Sequence, residues 1–494
     1  MFGPDTLLAG NRDLEGTRMP ELDPNRWRAL AVICAAFFMT ILDVSIVNVA
    51  LPSIGRSLHF SQANLQWVIT AYAITFGGFL LLGGRAADLF GRRRTFLVGV
   101  VVFTAASFVC GLASSETVLI AARAVQGLGA AIISPAALSI VMTTFEEGPE
   151  RNKALGIWGA MGGSGAAVGV LAGGILTRYL GWEWIFFVNV PVGILAFSLT
   201  PRFVRESRSS AQSSPDLAGA LTVTAGIALL VYAISEAPNH GWANGWTLSR
   251  LAAAVILLAA FLVVESRARD PLMPFSIFRV RTVAGANITG VLLGAVTFAN
   301  FFVLTLYVQQ VLHYSALKTG VAFVATAGSA VLWAGLAQWL TTRVGPKLVM
   351  ALGFVAMTAG MAWYTQVPVH ASFASDLLPG YLLVGFALPF TWIPVSIAAL
   401  AGVQAHEAGL ASGLINTAQQ VGGAIGVAVA SSVSLSHFNH LLGERILFPQ
   451  AFTSGSQWAF WVMVGVAAAS LLATLALIRS DELVHPAEAV PAAA

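Results

Sequence analysis

Apolar residues run along this chain in long blocks rather than in alternation. Between Ala29 and Ile478 fourteen stretches are apolar over about 20 residues, the length that crosses a bilayer as a helix. The pattern predicts spans near 29–50, 66–84, 95–113, 118–142, 154–177, 184–203, 217–235, 247–264, 283–311, 319–340, 348–367, 377–401, 409–433 and 458–478. Almost none holds a charge. The exceptions are Asp43 in the first stretch and Arg123 in the fourth. A charge at the bilayer centre costs roughly 2.5–3.5 kcal/mol on insertion scales, so each calls for a reason.

Composition agrees. The chain is 57% hydrophobic and 10% charged, against about 25% charged in soluble domains, which excludes a soluble protein and points to an all-α integral membrane protein. The net charge of +3 says little, because sidedness is the signal. With the N-terminus inside, cytoplasmic segments hold 20 Lys/Arg, including Arg92, Arg93, Arg94, Arg267 and Arg269. The outer side holds five: Arg56, Arg178, Arg250, Lys318 and Arg445. This bias places both termini in the cytoplasm. Cys34 and Cys110 fall inside spans, so two buried free thiols are expected. The polar segment Met1–Asn25 precedes a first span too long for a leader, and no cleavage site of the A-x-A kind follows it, so no cleaved signal is expected.

The spans divide as six, two and six. A cytoplasmic tail, 1–28, leads into a six-helix bundle, 29–203. A linker region, 204–282, carries two extra spans near 217–235 and 247–264, and its Pro271–Phe278 part is too short and proline-broken to span. A second six-helix bundle, 283–478, and a cytoplasmic tail, 479–494, complete the chain. The two bundles repeat at an offset of 254, which carries Gly91 onto Gly345, Pro135 onto Pro389 and Gly169 onto Gly423. Two repeated bundles around a midplane site are the architecture of a rocking transporter.

Several motifs carry chemistry. The loop after the second span reads Gly84-Arg-Ala-Ala-Asp88-Leu-Phe-Gly91-Arg92-Arg93-Arg94. Gly84 and Gly91 suit a tight turn, and Asp88 can cap a helix or pair with the arginines, holding one conformation closed. The plainer reading is a positive-inside turn. Thr342–Lys347 is its degenerate copy, with Thr in place of the acid. The first span reads Leu42-Asp43-Val-Ser45-Ile-Val-Asn48-Val-Ala-Leu51-Pro52. The fourth carries Arg123-Ala-Val-Gln126-Gly127-Leu-Gly129. In the fifth, Gly156, Gly165, Gly169, Gly173 and Gly174 recur, three of them on one face that permits close backbone approach. A generic packing face would look the same.

With the run Gly181-Trp182-Glu183-Trp184 through Asn189 and Pro191, and the thirteenth span Gly409 through Gly423, these motifs resemble the fourteen-span drug:proton antiporter family of the major facilitator superfamily. The resemblance covers essentially every span and is silent on substrate. It implies a major facilitator fold, two six-helix bundles plus two extra transmembrane helices, in a cell membrane. Gly84, Asp88, Gly91, Arg92 and Arg93 look like the superfamily's signature loop, Arg123 like its proton-relay arginine, and the fifth span like its antiporter motif. Two departures stand out: Val170 replaces the motif's proline, which would kink the helix, and Glu183 stands where a basic residue is usual.

Read chemically, Asp43 and Arg123 are the candidate proton-coupling pair. Burial favours the neutral acid and the arginine favours the carboxylate, and that competition makes a switch. A static tie between helices is the competing reading. Substrate-cavity candidates are Asn300, Phe301 and Tyr307 in the ninth span, Trp392 in the twelfth and Asn416, Gln419 and Gln420 in the thirteenth, with Asn48 and Gln126 in the first bundle. Helix–helix hydrogen bonding competes for each of them. Spans nine to fourteen hold no central acid, since Asp376 and Glu407 lie at span ends, which favours neutral, weakly charged or zwitterionic substrates. No Walker-type loop occurs, so a proton gradient rather than ATP is the expected energy source.

The expectation is therefore a non-enzymatic, cofactor-free and metal-free exporter of small amphipathic molecules such as antibiotics, working by alternating access and exchanging protons. A monomer is expected, with a periplasmic adaptor only in a two-membrane cell and no nucleic acid. The alternative is a same-fold transporter of an endogenous metabolite, siderophore or lipid. A membrane sensor should carry a soluble output domain, and no loop is long enough to hold one.

Overall fold

The computed structural model describes residues 24–61, 63–145, 148–208, 216–268, 271–401, 403 and 408–479. Most of the N-terminal tail, linker residues 209–215, Arg269, Glu407 and the C-terminal tail from residue 480 lie outside them. Among the described residues fourteen long helices follow one another: α1 (Arg26–Ser57), α2 (Trp67–Phe90), α3 (Arg92–Gly111), α4 (Glu116–Thr144), α5 (Pro149–Tyr179), α6 (Trp184–Phe203), α7 (Leu217–His240), α8 (Gly245–Arg267), α9 (Arg281–Gln310), α10 (Ala316–Val344), α11 (Pro346–Tyr364), α12 (Phe373–Ala398), α13 (Ala408–Gly443) and α14 (Phe448–Leu477).

Thirteen of them are long and apolar enough to cross a membrane, against the fourteen expected from the sequence. The exception is α5, a helix of 31 residues whose apolar part among the described residues is Val168–Tyr179. Several helices outrun the apolar blocks that predict them. Helix α1 continues through Pro52 to Ser57, and α13 reaches Gly443. Hydropathy marks only the part of a helix that needs lipid, whereas backbone hydrogen bonds carry it onward into polar surroundings. The Pro271–Phe278 segment is indeed not a span, and residues Phe275–Arg279 form a single 3₁₀ turn before α9.

The tightest joints fall where glycine stands alone between helices. Gly91 separates α2 from α3 at φ 99°, and Gly345 separates α10 from α11 at φ 85°. Both conformations disfavour residues with a Cβ. These are the two positions that the offset of 254 superimposes.

Packing repeats in the same way. Helix α1 lies on α5 and α6, α4 on α2 and α3, and α3 on α6. In the second set, α9 lies on α13 and α14, α12 on α10 and α11, and α11 on α14. The sets meet at two equivalent seams, α2 against α13 and α5 against α10. The α7–α8 pair breaks the symmetry, because α7 lies on both α2 and α13 and so covers one seam only. Its end nearest Arg85 is tied down: Glu265 accepts from the Met273 backbone N–H, and Arg85 donates to the Pro271 carbonyl at 2.8 Å.

One large apolar core joins both sets at the Ser57 end of α1. It includes Ile46, Leu51 and Ile54 from α1 together with Leu304, Val308 and Phe302 from α9. At the Arg26 end the first set has a separate core of its own, built from residues such as Ile33, Phe96, Phe103 and Ile140. Hydrogen bonds cross between the sets: Gln309 donates to the Val49 carbonyl at 2.8 Å, and Thr417 to the Gly77 carbonyl at 3.2 Å.

The α9–α13 contact depends on missing side chains. A Cβ on Gly422 would run into the Val291 carbonyl, and one on Gly426 into Ala295. Gly422→Leu is expected to force α9 and α13 apart and to cost about 1–3 kcal/mol or more, as overpacking does. The check is a lower unfolding temperature in detergent, with Gly465→Ala, where a Cβ would meet nothing within 4 Å, as the control that does not lower it.

Candidate functional site

Asp43 and Arg123 are brought together. Both are sequestered, at 0% and 1% exposure. Arg123 Nη1 donates to Asp43 Oδ2 at 2.5 Å. Gln126, three residues further along α4 and so on the same helix face, donates from Nε2 to Asp43 Oδ1 at 2.8 Å. Asn189 in α6 donates from Nδ2 to the same oxygen at 3.1 Å. The carboxylate thus faces three donors.

The guanidinium is equally well held. Its Nε donates to the Val68 carbonyl at 2.9 Å, and Nη1 also reaches Gln126 Oε1 at 2.7 Å. The Tyr72 ring lies 4.3 Å from its central carbon, a cation–π contact away from water. Behind this group, Asn189 Nδ2 donates to Ser107 Oγ at 3.1 Å, Ser107 donates to the Phe186 carbonyl at 2.9 Å, and the Cys110 thiol approaches Gln126 Oε1 at 3.5 Å. Five helices, α1, α2, α3, α4 and α6, therefore converge on one ion pair. Cys34 and Cys110 are free and buried, as the sequence leads one to expect.

The loop at Gly91 is built from more than its own residues. Arg92 pairs with Asp88 at 3.2 Å. Glu206, beyond α6, accepts from the backbone N–H of Arg93 at 3.1 Å and of Arg94 at 3.2 Å. A carboxylate on the first turn of α3 satisfies donors that the helix cannot, and it meets the positive end of the helix dipole. Gly84 does not form the turn: it lies inside α2, and only Gly91 separates the helices.

In α5, Gly165, Gly169 and Gly173 all face α1, where added side chains would meet Ile41, Ser45 and Ile46. Gly174 turns instead to α10, against the Ala316 carbonyl. Gly156 differs from the expectation, since a Cβ there would meet nothing within 4 Å and no neighbour requires glycine. Val170 is packed against α10 through the approach of Gly320 to its carbonyl.

The proposed cavity residues scatter. Gln126 does not face a cavity, being fully buried on Asp43. Tyr307 is also fully buried, with its hydroxyl donating to the Pro368 carbonyl at 2.5 Å. Asn48, Asn300 and Gln419 are buried, and each keeps a polar atom with no partner: Asn48 Oδ1, Asn300 Oδ1 and Gln419 Nε2. Phe301, Trp392 and Gln420 are half-buried and Asn416 is exposed, bonded to the Ser412 carbonyl. A separate cavity of about 610 Å³, bounded in part by His313, Tyr314, Lys318 and His370, lies at the far end of the second set.

Sequence comparison decides the family. The family model described as Major Facilitator Superfamily matches residues 33–427. The chain belongs to this superfamily. It is 41% identical to the puromycin resistance protein of Streptomyces alboniger, over 92% of this chain and 91% of that one. It is 39% identical to the cephamycin export protein of Amycolatopsis lactamdurans, over 82% and 84%. Among solved structures, a bacterial homologue of the human lysosomal transporter Spinster is similar in fold, with a TM-score of 0.65 at 16% identity over 94% of this chain and 99% of that one. Membership makes the chain a membrane transporter.

Sequence reasoning missed three partners in this superfamily member. Asn189 reads only as part of the sixth-span motif, and Ser107 carries no motif at all. Glu206 sits in a charged linker where nothing distinguishes it from its neighbours. Stability should reveal the Asp43–Arg123 pair. Arg123→Ala leaves a buried carboxylate without its cation and is expected to cost about 3–5 kcal/mol. Adding Asp43→Asn to Arg123→Ala removes the uncompensated charge and should recover most of the lost unfolding temperature in detergent.

Proposed function

We propose that this chain is a proton-coupled exporter of small amphipathic molecules, antibiotics among them, working by alternating access. The observation that carries this reading is the Asp43–Arg123 ion pair, sealed from solvent at the centre of the first helix set. Intramembrane ionisable pairs of this kind mark proton and ion pathways. The relatives named for puromycin resistance and cephamycin export give the substrate class.

In this reading residues 29–203 and 283–478 are the two rocking bundles, which the repeated packing pairs support, and α5 is the fourteenth span. Both termini face the cytoplasm of a bacterial cell, as the arginine bias argues, so the Ser57 end is extracellular. The merged core there and the first set's own core at the Arg26 end fit a state closed to the outside. Asp43 takes the coupling proton and Arg123 sets when it leaves. One proton moving inward yields about 2.3 kcal/mol per 100 mV of membrane potential, and no further cofactor enters the scheme. Asp88, Gly91, Arg92 and Arg93, held by Glu206, latch one conformation.

Substrate would contact the buried atoms that lack partners at Asn48, Asn300 and Gln419, with Phe301, Trp392, Gln420 and Asn416 at the margin. An unpaired buried polar atom costs free energy, and a hydrogen-bonding substrate would recover it. The chain functions as a monomer in this scheme, and its substrates are neutral, weakly charged or zwitterionic.

The test is reconstitution in vesicles that hold a pH-sensitive dye, under an imposed gradient. Adding amphipathic antibiotics, puromycin first, should trigger proton release in the wild-type protein and none in Asp43→Asn. Absence of compound-triggered flux from the wild-type protein would favour an endogenous metabolite, siderophore or lipid as cargo. Full flux in Asp43→Asn would remove Asp43 from the coupling role.

A further inference from the structure

Asp43 is surrounded by donors alone. Arg123 Nη1, Gln126 Nε2 and Asn189 Nδ2 all give protons to its two oxygens. This shell suits a carboxylate. A protonated Asp43 has an O–H to give, and in this arrangement nothing facing it can accept. Taking up a proton therefore requires one partner to turn its acceptor inward.

The three partners differ in their freedom to do so. Arg123 has no acceptor at all. Gln126 has one, but its Oε1 already receives Arg123 Nη1 at 2.7 Å and the Cys110 thiol at 3.5 Å. Turning that amide would set its NH₂ against the guanidinium. Asn189 is different. Its NH₂ gives one hydrogen to Asp43 Oδ1 and the other to Ser107 Oγ at 3.1 Å, and Ser107 is a hydroxyl, which both donates and accepts. If the Asn189 amide turns over, its oxygen receives the Asp43 O–H and a hydrogen from Ser107, which swings away from the Phe186 carbonyl. The Phe186 carbonyl keeps the Val188 backbone N–H, and Asp43 has a partner in each state without any group crossing to another helix.

We propose that Asn189 is the proton-linked positioning residue of this transporter: its amide donates to ionised Asp43, turns to accept from protonated Asp43, and uses Ser107 as the partner for both states. The proposal rests on Asp43 being the coupling site. The other titratable groups around Asp43 are Arg123 from α4, Tyr72 from α2 and Cys110 from α3, and none of them can make the same exchange. Arg123 holds no acceptor, the Tyr72 hydroxyl is directed to the Thr40 carbonyl at 3.4 Å, and Cys110 is directed to Gln126. The turn also gives α6 a direct share in the protonation state of α1, since Asn189 opens the longer part of α6 just after its first turn ends at Phe187.

The experiment is the pH profile of puromycin-driven proton release in vesicles, for wild type, Asn189→Ala, Asn189→Ser and Asp43→Asn. Asn189→Ala removes a partner from both states, but the charge-assisted bond to the carboxylate is the stronger of the two, so the midpoint for proton release is expected to move up. Asn189→Ser, close to alanine in volume but able both to donate and to accept, is expected to stay closer to wild type. If Ala and Ser shift alike, or neither shifts, Asn189 only fills space and the proposal falls while Asp43 keeps its role. If Asp43→Asn retains the wild-type profile, the coupling site lies elsewhere and both readings fall. A measurement on the wild-type protein covers the case in which Asn189→Ala does not fold. Infrared difference spectra of asparagine-labelled protein should show an amide carbonyl change that titrates together with the Asp43 carboxyl band. A carboxyl band that titrates with no accompanying amide change overturns the proposal.

Discussion

A carboxylate and a guanidinium buried where water cannot reach must be satisfied by protein groups alone, and the first half of this molecule is arranged around that demand. Asp43 and Arg123 each face several partners, drawn from five helices. Desolvating either charge costs several kcal/mol, and an unpaired one costs more than a paired one. The helices can therefore shift against one another only by routes that keep both charges partnered or neutralise one of them. In the proposed scheme that limit makes the ion pair a gate on movement, because a single proton changes which arrangements are allowed.

The second half keeps the packing plan and drops the charges. At the offset of 254, Asp43 corresponds to Thr297 and Arg123 to Leu377. Thr297 is buried, and its hydroxyl lacks a partner. The first half holds the paired ionic cluster, and buried polar atoms short of partners occur in both halves, at Asn48 in the first and at Thr297, Asn300, Thr305 and Gln419 in the second. In the proposed scheme the ionic cluster and the unpartnered atoms are separate groups, so proton chemistry and ligand recognition can change their hydrogen bonding separately. The α7–α8 pair adds a further asymmetry. It covers the α2–α13 seam and leaves the α5–α10 seam uncovered, so the two seams are not equally free to part.

Much of this was legible beforehand. Long apolar blocks gave the helices, because only a helix can satisfy its own backbone in lipid. Gly91 and Gly345 marked the tightest turns, because a conformation with positive φ excludes most other residues. Asp43 and Arg123 stood out because a charge inside an apolar block is costly wherever it ends up. The polar candidates fared differently. Gln126, Asn48, Asn300 and Gln419 look alike in sequence, yet Gln126 is locked to Asp43 while the others keep unpaired atoms. Helix ends were also misjudged at Ser57 and Gly443, since hydropathy reports contact with lipid and not the extent of hydrogen bonding.

The sequence by itself determined that this chain is helical, lies in a membrane, repeats internally and buries two opposite charges. Those properties follow from local composition and spacing, which each segment carries alone. Only the tertiary structure decided that Asn189 and Ser107 join the Asp43 cluster, that Glu206 caps α3, and that Gly165, Gly169 and Gly173 face α1 while Gly174 faces α10. Each of these depends on which helix lies against which and at what rotation. A short polar side chain reads the same in sequence whether it bonds to its own helix, to a neighbouring helix or to nothing, and only the packed arrangement distinguishes the three.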